Sequence, residues 1–224
     1  MRAQSRKSEW PGIAFVFCLL LISFPFAYYS VHKGLTIGDP QEQISSRLFQ
    51  AEAPVSTAAI YAHMSVAGVL MMIAPLQLLR RIRNRMLTLH RWLGYMTAIC
   101  AVFIGASGLL YIVTIGTIGG PVMDLGFGLY GVLMVVAPLR TVQLARRRDP
   151  RHRLWAERLI ILVLASWLYR IHYGVWQLLT GGAGSSPDFS GPFDLVQVFA
   201  FYLPYLAVHG VLSRKIGHKS LPKA

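Results

Sequence analysis

Apolar residues fill nearly every position of six stretches, and charges collect in the gaps between them. The stretches run over about 11–30, 58–79, 91–115, 124–144, 157–180 and 193–213. A run of about 18 or more apolar residues nearly free of charge marks a spanning helix. Hydrocarbon offers the backbone no partner, so every N–H and C=O must be satisfied inside the segment. The expected fold is therefore all-α: a polytopic membrane protein, six transmembrane helices in a single integral membrane domain over residues 1–224. The longest gap, about 31–57, is too short to hide a soluble catalytic domain.

Composition agrees. The chain is 54% hydrophobic and 14% charged, with a mean hydropathy of +0.49; a soluble domain carries about 25% charged residues. The formal charge of +13 raises the question of nucleic acid, and its distribution answers it. Arg2, Arg6 and Lys7 precede the first span. Arg80, Arg81, Arg83 and Arg85 separate the second from the third. Arg146, Arg147, Arg148, Arg151 and Arg153 separate the fourth from the fifth, and Arg214, Lys215, Lys219 and Lys223 follow the sixth. The other gaps hold few charges. This alternation is the positive-inside rule. It predicts a multi-pass protein of the inner (plasma) membrane with both termini cytoplasmic, a basic surface that meets lipid headgroups, and no nucleic-acid partner. The first span reads as a retained anchor, being longer than a signal-peptide core and lacking an A-x-A site after it. Cys18 and Cys100 sit in separate spans and read as small buried residues.

Two strings are alike: "GVLMMIAPLQLLRR" (Gly68–Arg81) and "GVLMVVAPLRTVQLARR" (Gly131–Arg147). Each leads to a His-Arg pair, at His90 and at His152. Spans 2–3 and 4–5 thus read as one two-helix unit used twice. That predicts a four-helix core with spans 1 and 6 outside it or acting as a lid. Pro75 and Pro138 are expected to kink their helices at matching depths. Ala67, Gly68, Gly105, Ala106 and Gly108 allow close helix approach. Asp149-Pro150 reads as the start of the fifth span, with His152 in its first turn.

Ionisable groups inside a span are costly and usually functional. His63 and His172 fall at similar depths below one face. His90, His152 and His209 gather near the other. Neutral imidazole is a common ligand for haem iron, copper and zinc, although a histidine near a span end often just bonds a backbone carbonyl. His32 and His218 read as solvent-facing. Arg170, in "SWLYRIHYGVWQ", lies too deep for a boundary arginine and shares a stripe with Ser166, Tyr173 and Gln177. Three readings stay open for it. It snorkels, it pairs with Asp124 or Asp194, or it holds an anionic group.

"PLQLLRRIRNRMLTLHRWLGY" (Pro75–Tyr95) and "RRRDPRHRLWAERL" (Arg146–Leu159) resemble a family of bacterial predicted membrane proteins catalogued as a domain of unknown function. The resemblance covers about His63 to Gln177. The layout is more distantly similar to the ascorbate-reducible dihaem b-type cytochromes, which have six helices and a histidine pair near each face. That second resemblance implies b-type haem, ligated from helices 2 and 4 on one side and 3 and 5 on the other. On those positions His90 and His152 fit one pair, with His209 as an alternative partner. His63 fits half of the other pair. Its counterpart in the fourth span is Gly126, so His172 takes that place. Arg170 would then hold a propionate or a quinone oxygen.

Three functions follow. The first is a transmembrane electron-transfer protein with haem on histidine pairs and a quinone or redox protein as partner. The second is a transporter or binder of a small anionic or metal-bearing solute, with a cavity lined by His63, Arg170 and His172. The third is an assembly subunit that meets its partner through Phe199, Phe201, Tyr202 and Tyr205. Hydrolase motifs such as G-x-S-x-G, H-E-x-x-H and C-x-x-C are absent, and "TGGAGSSPDFSGP" is expected to be a flexible turn rather than a nucleotide loop.

Overall fold

The structure is a computed structural model that describes residues 9–219, with side chains as far as Arg214. Arg2, Arg6, Lys7 and Lys223 lie outside the described residues, as do the side chains of Lys215, His218 and Lys219. Among the described residues every regular element is helical. Six segments are long and apolar enough to cross a membrane: Trp10–Gly38, Pro54–Leu78, Leu87–Thr114, Gly120–Arg146, His152–Thr180 and Pro192–Arg214. Each covers an expected span to within one residue and runs a few residues past it at one end or both, because helices continue into the headgroup layer where the chain turns polar.

The helices are α1 (Trp10–Leu35), α2 (Pro40–Ser45), α3 (Pro54–Ile73), α4 (Arg80–Arg85), α5 (Leu87–Thr114), α6 (Gly120–Arg146), α7 (His152–Thr180), α8 (Pro192–Ala200) and α9 (Leu203–Lys219). Below, the end of the bundle that carries the arginine-rich turns is the basic end, and the opposite end is the far end. The chain runs up and down, and each long helix packs on the next. α1 lies along α3, where Ser30 donates to the Met64 carbonyl at 2.8 Å. Contact there is backbone-close, as the small residues predicted. A Cβ on Gly68 would stand 2.5 Å from the Ala27 carbonyl oxygen, and one on Gly105 would stand 2.7 Å from that of Gly131.

The two similar strings end differently. After α3 the chain tightens into a 3-10 turn, Ala74–Leu78, and leaves the helix. Pro138 instead stays inside a continuous α6 that runs eight residues past it to Arg146. The two prolines therefore do not occupy matching positions: Pro75 ends its α-helix and Pro138 lies within one. Beyond Pro75 comes the arginine-rich turn, with Gln77 bonded to the next helix, whereas beyond Pro138 the helix still has Thr141 to bond back to the Ala137 carbonyl at 2.8 Å. α7 begins at His152, and Asp149 accepts from the Arg151 amide at 2.8 Å in the turn before it. Contact with the Arg151 guanidinium holds the Asp149 carboxyl down at about 2.

The core draws on α3, α5, α6 and α7, through Leu70, Ala101, Ile104, Met134, Leu162 and Ala165 among others. Phe201 and Tyr202 belong to it as well, both with 0% exposure. This corrects two expectations. The sixth span does not sit wholly outside the four-helix core, and two of its four aromatic residues, Phe201 and Tyr202, are core rather than partner surface. The sixth span is broken: α8 ends at Ala200 and α9 starts at Leu203, one residue before Pro204. The break turns both rings inward, and the Tyr202 hydroxyl donates to the Gly126 carbonyl at 3.0 Å.

At the far end, α2 caps the bundle. Asp39 accepts from the Gln41 amide at 2.9 Å, and Pro40 opens the helix. Glu42 then reaches back to Lys33, at 2.6 Å, and to the Tyr61 hydroxyl, also at 2.6 Å. Burial pushes its carboxyl up, but the bonds from Lys33, Tyr61 and Ser46 outweigh it and bring the group down from 4.5 to about 2. The charged form is therefore favoured in the folded state. Its stabilisation is complete above about pH 4.5 and fades as pH falls toward 2. Glu42→Gln should cost about 2 kcal/mol at neutral pH and flatten the acid limb of a thermal-melt profile. An unchanged limb would exclude this clasp.

Candidate functional site

Four helices place one residue each at a common depth. Phe26 on α1 and His63 on α3 lie nine residues from their far ends, Leu35 and Pro54. Tyr130 on α6 and Arg170 on α7 lie ten from theirs, Gly120 and Thr180. At 1.5 Å per residue, all four sit roughly 14–15 Å below the far end, inside the apolar layer. Arg170 joins them. Its guanidinium stacks on the Phe26 ring, 4.3 Å from the centroid, which links α7 to α1. His63, Tyr29, Tyr130 and Tyr169 stand close enough to interact with its charge.

Arg170 does not pair with an acid. Asp124 accepts from the Thr117 amide at 2.6 Å, and Asp194 is occupied at the far end. Among the described residues no salt bridge includes Arg170. Nor does it snorkel outward: it folds back along its own helix and donates from Nη1 to the Ser166 carbonyl at 2.9 Å. A guanidinium has five N–H donors, and the Ser166 carbonyl takes one of them. The residue is exposed.

His63 reaches from α3 toward α5. The Ser107 hydroxyl donates to the Phe103 carbonyl at 2.7 Å. The same oxygen lies 3.2 Å from the Ile104 carbonyl and 3.2 Å from His63 Nδ1, which ties the imidazole to α5. Gly108 leaves room for the ring: a Cβ there would stand 3.3 Å from His63 Cε1.

The expected convergence of His63 with His172 does not occur. His172 turns toward the sixth span, where Gln197 donates to its Nδ1 at 2.8 Å and its Nε2 meets the Tyr205 hydroxyl at 2.8 Å. Gln197 lies before the break in that span and Tyr205 after it, so His172 staples the two halves. The reason is rotation about the α7 axis. Arg170 and His172 are two residues apart, about 200° around the helix, and they face opposite neighbours.

At the basic end the outcome is mixed. His90 and His152 are near enough for their charges to interact, and Arg83 is a third member of that group. His152 Nδ1 donates to the Asp149 carbonyl at 2.8 Å, which leaves its Nε2 free. His90 Nδ1 is buried without a partner, as is Gln77 Oε1 beside it, while Gln77 Nε2 donates to the His90 carbonyl at 3.2 Å. His209 stands apart from that pair and meets Glu157 at 3.0 Å. No group of three or more His, Cys, Asp or Glu among the described residues gathers to hold a metal ion.

Asp194 was the residue that sequence reasoning undervalued. With 0% exposure, it accepts from the Tyr173 and Ser185 hydroxyls, each at 2.7 Å, and from the Ser186 and Gly191 amides at 2.9 and 3.1 Å. The Gly-Ser turn expected to be flexible is knotted around this carboxylate. An Asp at the third position after Gly191-Pro192 was the available signal. Ser107 and Gln197 carried no signal of their own.

No curated protein and no solved structure matches the chain. A family model does match over residues 60–213, a stretch holding His63, Arg170 and all five full-length spans after the first except the start of α3. The chain belongs to the family described as "Predicted membrane protein (DUF2306)".

Proposed function

We propose that this multi-pass membrane protein binds an amphiphile drawn from the bilayer, with the ligand's polar head seated on Arg170. One observation carries the reading: a guanidinium on a residue roughly 15 Å from the far end of its helix donates to one carbonyl and faces no carboxylate. Inserting arginine at such a depth costs about 2.5–3.5 kcal/mol. An acceptor-bearing head would turn that cost into affinity, and Phe26 and Tyr130 would flank it. The loops rich in arginine are placed on the cytoplasmic side of the plasma membrane in this reading. Solvent extraction of detergent-purified protein, followed by mass spectrometry, tests it. A stoichiometric amphiphile should accompany the wild type and be missing from Arg170→Ala. Equal lipid content in both would refute the proposal.

A second reading is favoured by the basic end. His90 and His152 approach each other, and His152 keeps Nε2 free by donating from Nδ1, the orientation a ligating histidine uses. These two residues would hold a b-type haem, which supplies one-electron transfer when bound. The far-end pair does not fit that group, since both nitrogens of His172 are engaged by α8 and α9. A Soret band from haem-replete cells, lost in His152→Ala and kept in His172→Ala, is the expected result. A colourless preparation would rule the haem out.

A further inference from the structure

A cavity of about 450 Å³ opens at the basic end of the bundle, beside the start of α1 and the turn after α3. The first two spans end there, at Trp10 and Leu78. The lining combines charge with apolar wall: Arg80, Arg81 and Glu9 beside Pro11, Ile13 and Leu78. Both arginines are exposed. Among the described residues no salt bridge engages either guanidinium or the Glu9 carboxylate. From the cavity toward the far end, α1 carries one continuous apolar stripe. Ile13, Phe17, Leu20, Phe24, Tyr28 and Val31 follow helical spacing and share a face. Phe17, Phe24 and Tyr28 are exposed on it. The stripe leads into an apolar groove of about 300 Å³, where Phe24, Tyr28 and Val31 border Gly68, Met72 and Ile73 of α3. Phe24 is eleven residues from Ile13, roughly 16 Å, or half of a hydrocarbon core about 30 Å thick. A charged cavity at headgroup level is thus joined by an apolar track to a groove one leaflet away.

We infer that cavity and track hold one glycerophospholipid, its phosphodiester on Arg80 and Arg81, an acyl chain along the α1 stripe, and a head that carries an N–H or O–H donor for Glu9. Guanidinium forks match phosphate oxygens and make charge-assisted bonds to them. Glu9 sets the second condition. A carboxylate only accepts, so next to a phosphate it requires a donor from the rest of the head. The ammonium of an ethanolamine head or a hydroxyl of a glycerol head supplies one. The quaternary ammonium of a choline head has no N–H and does not. A lipid attracted by positive charge alone would not draw that distinction. The site lies at the opposite end of the bundle from the Arg170 cleft and does not depend on it.

The test uses the full chain, delipidated in detergent, with native mass spectrometry reading the bound species. Dihexanoyl phosphatidylethanolamine, phosphatidylglycerol and phosphatidylcholine are titrated, each with and without equimolar inorganic phosphate. The ethanolamine and glycerol lipids should bind about fivefold more tightly than the choline lipid, and phosphate should displace none of them. Arg80→Ala combined with Arg81→Ala should weaken all three lipids by roughly tenfold or more. Arg85→Ala combined with Arg147→Ala removes equal charge from exposed residues outside the cavity, and should change binding by no more than about twofold. Glu9→Ala should raise the choline lipid to the level of the others, and Arg170→Ala should leave all three unchanged. The arginines replaced are exposed, so the fold should survive, as circular dichroism would verify. Four results would overturn the assignment: equal binding of the choline lipid to the wild type, equal losses from the two arginine pairs, displacement by phosphate, or a lipid-free dimer in which a second copy covers the stripe.

Discussion

Arg170→Ala is expected to cost the protein its ligand and almost none of its stability. The ligand-free side chain recovers its insertion cost of about 2.5–3.5 kcal/mol from two contacts. The Phe26 ring contributes about 1–2 kcal/mol, and one charge-assisted bond to the Ser166 carbonyl contributes a similar amount. These nearly balance, so truncation should move the melting temperature of the ligand-free protein by no more than a few degrees. Arg170→Met, which fills the space without the charge, should leave it equal or higher. Binding has no such balance. Each charge-assisted bond to the head is worth about 1.5–3 kcal/mol, or roughly ten- to hundredfold in affinity. Arg170→Lys keeps the charge and loses the planar fork, and it should fall between. A large drop in the stability of ligand-free Arg170→Ala would identify the residue as a structural tie, and the cleft would lose its claim to function.

Asp194→Ala should be the most destabilising single change in the described chain. Four neighbours donate to this carboxylate: the hydroxyls of Tyr173 and Ser185 and the amides of Ser186 and Gly191. Alanine leaves all four without their acceptor at a point where the carboxylate itself is 0% exposed. A buried acceptor removed from intact donors costs about 3–5 kcal/mol. The loop between α7 and α8 should open, and limited proteolysis should cut between Thr180 and Pro192. Asp194→Asn keeps one carbonyl oxygen and turns an N–H toward two donors, so it should cost about half as much. Tyr173→Phe, which removes one donor and no acceptor, should cost about 1 kcal/mol. Equal melting temperatures for wild type and Asp194→Ala would show that the knot does not hold the loop.

The two expectations about span ends show where sequence reasoning reached its limit. Asp149-Pro150 was read as a helix start, and Asp39-Pro40 carries the same local chemistry; the second opens α2, inside a gap that hydropathy treats as featureless. Capping is a property of three or four neighbouring residues, so both starts were legible, though α7 begins at His152 with Arg151 as its cap, later than Asp149-Pro150 implied. The break in the sixth span was less so. Pro204, Pro138, Pro75 and Pro25 all stand in apolar runs, yet α1 and α6 continue through theirs. Whether a proline interrupts a helix depends on what satisfies the freed carbonyls, and those partners come from other segments.

The six crossings and the alternation of basic and neutral gaps were readable from the chain alone. Hydrocarbon requires each segment to satisfy its own backbone, so spanning is a local property of about twenty residues. The identity of Arg170 as an outlier was readable for the same reason. Its neighbours were not. The polar stripe of α7 does not say which helices it meets, since its rotation is set by packing against adjacent helices. That rotation sent Arg170 toward Phe26 and His63, sent His172 toward Gln197 and Tyr205, and thereby separated two histidines that share a depth but not a direction.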